Sequence, residues 1–292
     1  MINKQTVQRE LDQLQHLIVL VETYETIAGT SVRRIRNFVL ANRAFHVGLN
    51  RMFREITSAY RKEVEHIMKK NKITTQHDGV SFVRRTKPLV FIFFSANTGL
   101  YGDIINRTFT AFLTEVRRTQ SDIVIVGRMG RIFFEDMMPG SPFTYFDFPD
   151  NAIAIENLKQ ISIFLARYKK VVAFYGMFKN LVTQQVKASI ISDTELPTEH
   201  RQNEMIHPYF FEPSLEAVML FFENEIFISI LEQVFQESRF AKLAARMVLL
   251  DRAMITIEGE IRHTILKKQH VHHRAINRQL VNSLSGIALW NV

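Results

Sequence analysis

Three glycine-bearing stretches are the first candidates for chemistry. "NTGLYGD" (97–103), "GRMG" (127–130) and "FYGMF" (174–178) each place glycine in or just beyond an apolar run. A strand that runs through glycines into a helix can cradle phosphate, because backbone N–H groups then converge on an anion at the helix N-terminus. The chain has neither G-x-G-x-x-G nor G-x-x-x-x-G-K-[ST], and glycines that merely turn a strand into a helix account for the same pattern. A second candidate is "HVHH", with His270, His272 and His273. On a helix His270 and His273 share a face. A zinc ion would want a third ligand, and Glu260 and His263 lie too far along the same helix, so solvated histidines are the simpler reading. No serine–histidine–aspartate grouping and no paired-carboxylate signature can be placed in one pocket, so neither catalysis, cofactor nor metal is expected.

Basic residues form the third cluster: Arg33, Arg34, Arg36, Arg43, Arg51 and Arg54 near the start, Lys267, Lys268, Arg274 and Arg278 near the end. A charge run on a long helix is ordinarily a solvated face. With a formal charge of +8 over 292 residues, the alternatives are a nucleic-acid-binding coiled coil or a shaft passing through an acidic collar. The basic stretches lack aromatics that would stack on bases, which disfavours nucleic acid.

The elements that must carry these residues follow from proline placement. All seven prolines lie between Pro88 and Pro213, leaving both ends free to be long helices. Leu11, Leu14, Ile18, Val21, Ala28, Val32, Ile35 and Val39 keep 3-and-4 spacing, with Glu25 the only break; Phe240, Leu243, Met247, Leu250, Met254, Ile257 and Ile261 keep it without one. A 3.5-residue period predicts a left-handed coiled coil, here of two terminal helices running antiparallel. The middle reads differently. "KPLVFIFFSA", "SDIVIVGRMG" and "KKVVAFYGMF" are buried-strand runs, separated by the helical "DIINRTFTAFLTEVRR" and "NLKQISIFLARY". Strand, helix, strand in that order predicts a parallel sheet with crossover helices. The proline-bearing "MMPGSPFTYFDFPD" reads as a loop. Domain boundaries are expected at 72/73 and 207/208. The absence of cysteine rules out disulfides and suits a reducing compartment. No hydrophobic leader and no apolar run long enough to span a bilayer is visible, so membrane association is expected only through a partner.

At this point the residues resemble a known family. "YFFEPSLEAVMLFFENEIFISILEQVFQESRFAKLAARMVLLDRAM" (209–254) is similar to the entry into the C-terminal helix of the gamma subunit, the central rotor shaft, of rotary F-type ATP synthases. Its Y-x-x-E-P-S falls on Tyr209, Glu212, Pro213 and Ser214; its A-A-R-M-x-x-M-D falls on Ala244, Ala245, Arg246, Met247, Leu250 and Asp251. "TGLYGDIIN" resembles G-L-C-G-x-x-N, "VGRMGRIFF" resembles G-x-K-G-x-x-F-F, and "FYGMFKN" resembles Y-N-x-F-x-N. "IAGTSVRRIR" and "AINRQLVNSLSGIA" are similar to the two terminal motifs, so the likeness is colinear over nearly the whole chain.

The resemblance implies an antiparallel coiled coil of both termini with a central Rossmann-like α/β domain. It implies a non-catalytic subunit whose shaft passes through a hexamer of alpha and beta subunits, while the base meets epsilon and the membrane rotor ring, at the cytoplasmic face of the cell membrane. Arg33, Arg34, Lys242, Arg246, Asp251, His272, His273, Arg278 and Gln279 are the subunit-contact positions it suggests. Departures are concentrated there. Tyr24, Glu25 and Thr26 stand for Met-Lys-Met, and Ala241 and Lys242 stand for Ser-Glu. His272 and His273 stand for an Arg-Gln pair, and Arg278 and Gln279 for Gln-Glu. The opposite sign changes at Glu25 and Lys242 suggest that these two charges answer one another. A gamma-like scaffold in a related ATPase assembly, not driving an ion ring, is the alternative.

Overall fold

The computed structural model describes residues 4–60, 63, 66, 85–150, 155–180, 182–192 and 209–290, with the side chains at 37–43, 46, 155 and 285–290 outside that description. The expected boundaries at 72/73 and 207/208, and the side chains of Val39 and Arg43, lie outside the described residues. The elements are α1 (Lys4–Ala59), β1 (Lys87–Phe94), α2 (Ile104–Arg118), β2 (Asp122–Val126), α3 (Arg128–Met137), β3 (Thr144–Phe146), α4 (Ile155–Leu165), β4 (Tyr168–Phe178), β5 (Gln184–Ile190) and α5 (Leu215–Trp290). The two proline-free ends are helices of 56 and 76 residues. The chain divides into two compact units: Met1–Thr30 with Arg246–Val292, and Ser31–Ala245.

The first unit contains only helix among its described residues. Burial along α1 follows the expected seam: Val7, Leu11, Val21 and Ala28 are buried, Leu14, Ile18 and Glu25 half-buried. On α5 Met247, Leu250, Met254, Ile257, Ile261 and Thr264 do the same. Sequence periodicity and burial therefore describe one coiled-coil interface. Glu10 near the start of α1 lies 3.8 Å from Lys267 far along α5. Such an exposed pair adds well under about 1 kcal/mol.

In the second unit the order is reversed, as antiparallel pairing requires. The end of α1 (Phe53, Ile56) packs with the start of α5 (Met219, Phe222, Ile226). Tyr60 fixes this end: its hydroxyl donates to the Tyr209 carbonyl at 3.1 Å and accepts from the Tyr209 N–H at 2.8 Å.

The five-stranded sheet has the order β3-β2-β1-β4-β5, parallel except for β5, which pairs antiparallel with β4. Alternation along β1 divides its side chains between two cores. Val90, Ile92 and Phe94 face a cluster with Leu158, Ile161 and Leu165 of α4 and Leu231, Val234 and Phe235 of α5. Phe91 and Phe93 face Ile104, Phe109 and Phe112 of α2 and Phe134 of α3, and Ala245 of α5 joins this second cluster. One helix thus reaches both faces of the sheet.

Three elements depart from the sequence reading. The stretch read as a loop contains the short β3, which extends the sheet beyond β2. Its proline positions lie outside the three paired residues, so the ladder loses no donor. β5 is a polar edge strand without a long apolar run, and α3 begins inside the run read as strand, where Gly127 at φ 97° turns the chain.

A buried ion pair ties α5 to the sheet. Arg85 donates to Glu223 at 2.9 Å, the side chains being 13% and 2% exposed. Arg85 also donates to the carbonyls of Ser192 at 3.1 Å and Lys169 at 3.3 Å. Breaking such a pair leaves an uncompensated buried charge, which costs about 3–5 kcal/mol. Arg85→Met alone is therefore expected to lower stability by about that amount in urea unfolding, whereas Arg85→Met/Glu223→Leu recovers most of it. Equal destabilisation by the single and double variants would show that the pair is not what holds this point.

Candidate interaction surfaces

The strand order reverses at β1, with β2 and β3 on one side and β4 on the other. In a doubly wound sheet this is where a ligand would bind, beyond the carboxyl ends of the strands. Here the chain itself fills the place. The Asp150 carboxylate accepts from the backbone N–H of Asn97 at 3.0 and 3.1 Å, and from the N–H and hydroxyl of Thr98, both at 2.9 Å. Lys242 of α5 lies 3.9 Å from the same carboxylate and donates to the Ser95 carbonyl at 2.6 Å. The Lys242 and Asp150 side chains are only 13% and 7% exposed. Asn97 braces the loop, donating to Asp147 at 2.6 Å and accepting from the Arg128 N–H at 2.7 Å. The remaining cavity is about 20 Å³, room for a water molecule and not for a nucleotide.

Among the flagged glycines, Gly127 and Gly176 serve close approach. A Cβ on Gly127 would stand 2.8 Å from the Ala96 nitrogen. One on Gly176 would stand 2.8 Å from Ile104 and 3.4 Å from Ala241, so this glycine lets α2 and α5 both close on β4.

The Lys242 ammonium turns toward Ser95 and Asp150, since a nearly buried cation needs acceptors at hand. Arg33, Arg34, Asp251, His272, His273, Arg278 and Gln279 are all exposed, and Arg246 is half-buried. The His272 and His273 rings stand 6.3 Å apart, and among the described residues no group of three histidines, aspartates or glutamates comes together to hold a metal. Asp150 and Arg239, which sequence reasoning missed, line the same cavity as Lys242. Burial lowers the pKa of Arg239; Tyr101 and Asp150 oppose this, and the like charge of Arg34 adds to it. A lone aspartate after "DFP" carries no signal that would have revealed its partners.

The helices also expose apolar side chains in register. In α1 Leu17, Leu20, Tyr24 and Ile27 form a second stripe at 3-and-4 spacing, separate from the buried seam. Near the end of α5 Ile276, Leu280 and Leu284 repeat every four residues, with Val281 beside them, all exposed. Contiguous exposed apolar stripes mark surfaces that other molecules cover.

A coiled coil and a doubly wound α/β unit built on the same two long helices, with the ligand crevice filled from within, define the architecture of a stalk protein. The ATP synthase family matches residues 3–288, and the chain belongs to that family as a gamma chain, the central-stalk subunit of an F-type ATP synthase. The gamma chain of Desulforamulus reducens is 21% identical over 300 residues, covering 99% of both chains. That of Halothermothrix orenii is 27% identical over 206 residues, 68% of this chain and 71% of the relative. Among solved structures, the central stalk/c-ring of Tetrahymena thermophila mitochondrial ATP synthase matches with a TM-score of 0.52 at 16% identity, covering 80% of this chain and 99% of that one. A chain of the Euglena gracilis mitochondrial enzyme matches with a TM-score of 0.51 at 13% identity, covering 89% and 94%. No described helix is long and apolar enough to cross a membrane.

The amino ends of β1, β2 and β4, opposite the crevice, carry a titratable cluster. Lys87 and Tyr168 both donate to Asp122 at 2.6 Å, and Lys87 to the Tyr168 hydroxyl at 3.2 Å. The Lys87 and Tyr168 hydrogen bonds hold Asp122 below its ordinary pKa, and the same Asp122 bond raises Lys87. A depressed carboxylate pKa contributes stability above the unfolded value, about 3.9, that is lost as pH falls through the folded value. The raised lysine contributes below about 10.4, and loses that as pH rises past its folded value. Asp122→Asn should therefore unfold earlier than the parent at neutral pH, and the gap should narrow as pH falls below the ordinary carboxylate value and through the lowered one. Thermal unfolding across pH checks this, and a gap constant from pH 2 to 8 would contradict it.

Proposed function

We propose that this chain is the non-catalytic rotor of its ATP synthase, coupling ion flow through the membrane sector to ATP synthesis or hydrolysis on other subunits. The observation that carries the reading is the exposed apolar stripe Ile276, Leu280 and Leu284 on a helix flanked by Arg274 and Arg278. Such a face suits a collar with an apolar lining and acidic neighbours, supplied here by alpha and beta subunits. Arg33, Arg34, Asp251, His272, His273, Arg278 and Gln279 are the proposed shaft contacts, and Arg246 a half-buried one. The filled crevice supports a subunit that leaves nucleotide to alpha and beta.

Epsilon and the membrane rotor ring are the proposed partners of the α/β unit, in keeping with the Tetrahymena stalk, which is described together with its c-ring. In this reading the subunit sits at the cytoplasmic face of the cell membrane, held there by the complex.

The test is made in membrane vesicles carrying the assembled enzyme. Leu280→Asp/Leu284→Asp is expected to cut ATP-driven ion pumping at least about tenfold, the equivalent of about 1.4 kcal/mol, with the hexamer still hydrolysing ATP. Parent-like pumping by this variant, or failure of the tagged chain to copurify with an ATPase hexamer, would overturn the reading. Copurification with the hexamer but not the ring would transfer the chain to an assembly that drives no ions.

A further inference from the structure

We propose that the loop after β1 is an oxyanion-binding cradle whose resident ligand is the chain's own Asp150 carboxylate. Four donor interactions converge on this one group. Two successive backbone N–H groups, Asn97 and Thr98, point to it together with the Thr98 hydroxyl, and the Lys242 ammonium stands 3.9 Å away. Consecutive N–H groups with a cation beside them are what a phosphate or carboxylate is bound by elsewhere in proteins. The cradle also lies at the reversal of strand order, where doubly wound sheets take such ligands.

One further observation fits a ligand site better than a chance salt link. The cavity of about 20 Å³ adjoins the carboxylate, so removing that carboxylate opens room for a small oxyanion. The Lys242 ammonium and the two backbone N–H groups stay beside that room, and all three suit an anion.

The inference has two consequences. In the parent protein the site is self-liganded and indifferent to added anions. Lys242 is then a positioning residue, with its ammonium holding both the carboxylate and the end of β1. Neither consequence depends on which assembly the chain joins.

The experiment uses the full chain and thermal unfolding in sodium chloride, inorganic phosphate or formate at equal ionic strength. Asp150→Ala is expected to unfold earlier than the parent in chloride, and to gain on the order of 2–4 °C in phosphate or formate. The parent and Asp150→Asn, whose amide still fills the space, should show no such gain. Asp150→Ala/Lys242→Met should lose it. A gain equal to the parent's, or one that survives in the double variant, would overturn the proposal. If Asp150→Ala does not fold in chloride, recovery on refolding in phosphate or formate supports the cradle, and failure to recover in either refutes it.

Discussion

A helix offers one periodic set of faces, and α5 must use that set against two kinds of surface. Between Leu231 and Ala245 it is buried on most sides, because Leu231, Val234 and Phe235 enter one sheet core and Ala245 the other. From Arg246 onward burial narrows to the stripe at Leu250, Met254, Ile257, Ile261 and Thr264. The change follows from what each stretch meets: a sheet and its flanking helices need a wide apolar surface, whereas one partner helix needs only a seam. Every other feature of the second unit depends on seating α5 without interrupting it.

Apolar packing supplies most of that seat. Phe235 lies against Phe94 and Phe148 at centroid separations of 4.6 and 4.1 Å, and Phe240 against Phe178 at 4.0 Å. Aromatic pairs of this kind add about 0.5–1.5 kcal/mol each beyond the area they bury. Polar groups add position more than energy. Lys242 and Arg85 reach backbone carbonyls at strand ends, Ser95 for the one and Lys169 and Ser192 for the other, and each also meets a buried carboxylate. A helix held by oil-like contacts alone could slide by a turn; acceptors with fixed positions forbid this.

How far the sequence revealed this depended on whether a feature was periodic. The coiled-coil seam, three of the strands and two crossover helices repeat on a fixed spacing, so their places were legible, although the second strand run extended into α3. β5 was not, since its Gln184–Ile190 run is an edge with little apolar burial to announce it. β3 hid among prolines. The crevice was illegible for a different reason: Asp150 and Lys242 are 92 positions apart, and only the folded loop after β1 brings their charges together. Resemblance to the family marked Lys242 as unusual, but a sign change on a long helix says nothing about which way the side chain turns. The exposed stripe at Leu17, Leu20, Tyr24 and Ile27 was legible in spacing but not in meaning, being hidden by the stronger seam beside it.

Polar residues within the buried seam complete the physical picture. Thr264 is fully buried and Glu25 half-buried, each at a position the 3-and-4 spacing reserves for apolar groups. Such substitutions cost coiled-coil stability and in return penalise any slip, because every other register would bring the polar group against different neighbours. An all-apolar seam between two long helices would tolerate displacement by a heptad at little cost. A seam with polar positions has one best register, and each exposed face of the rod, from Leu17 to Leu284, then keeps a fixed angular position relative to its own helix partner.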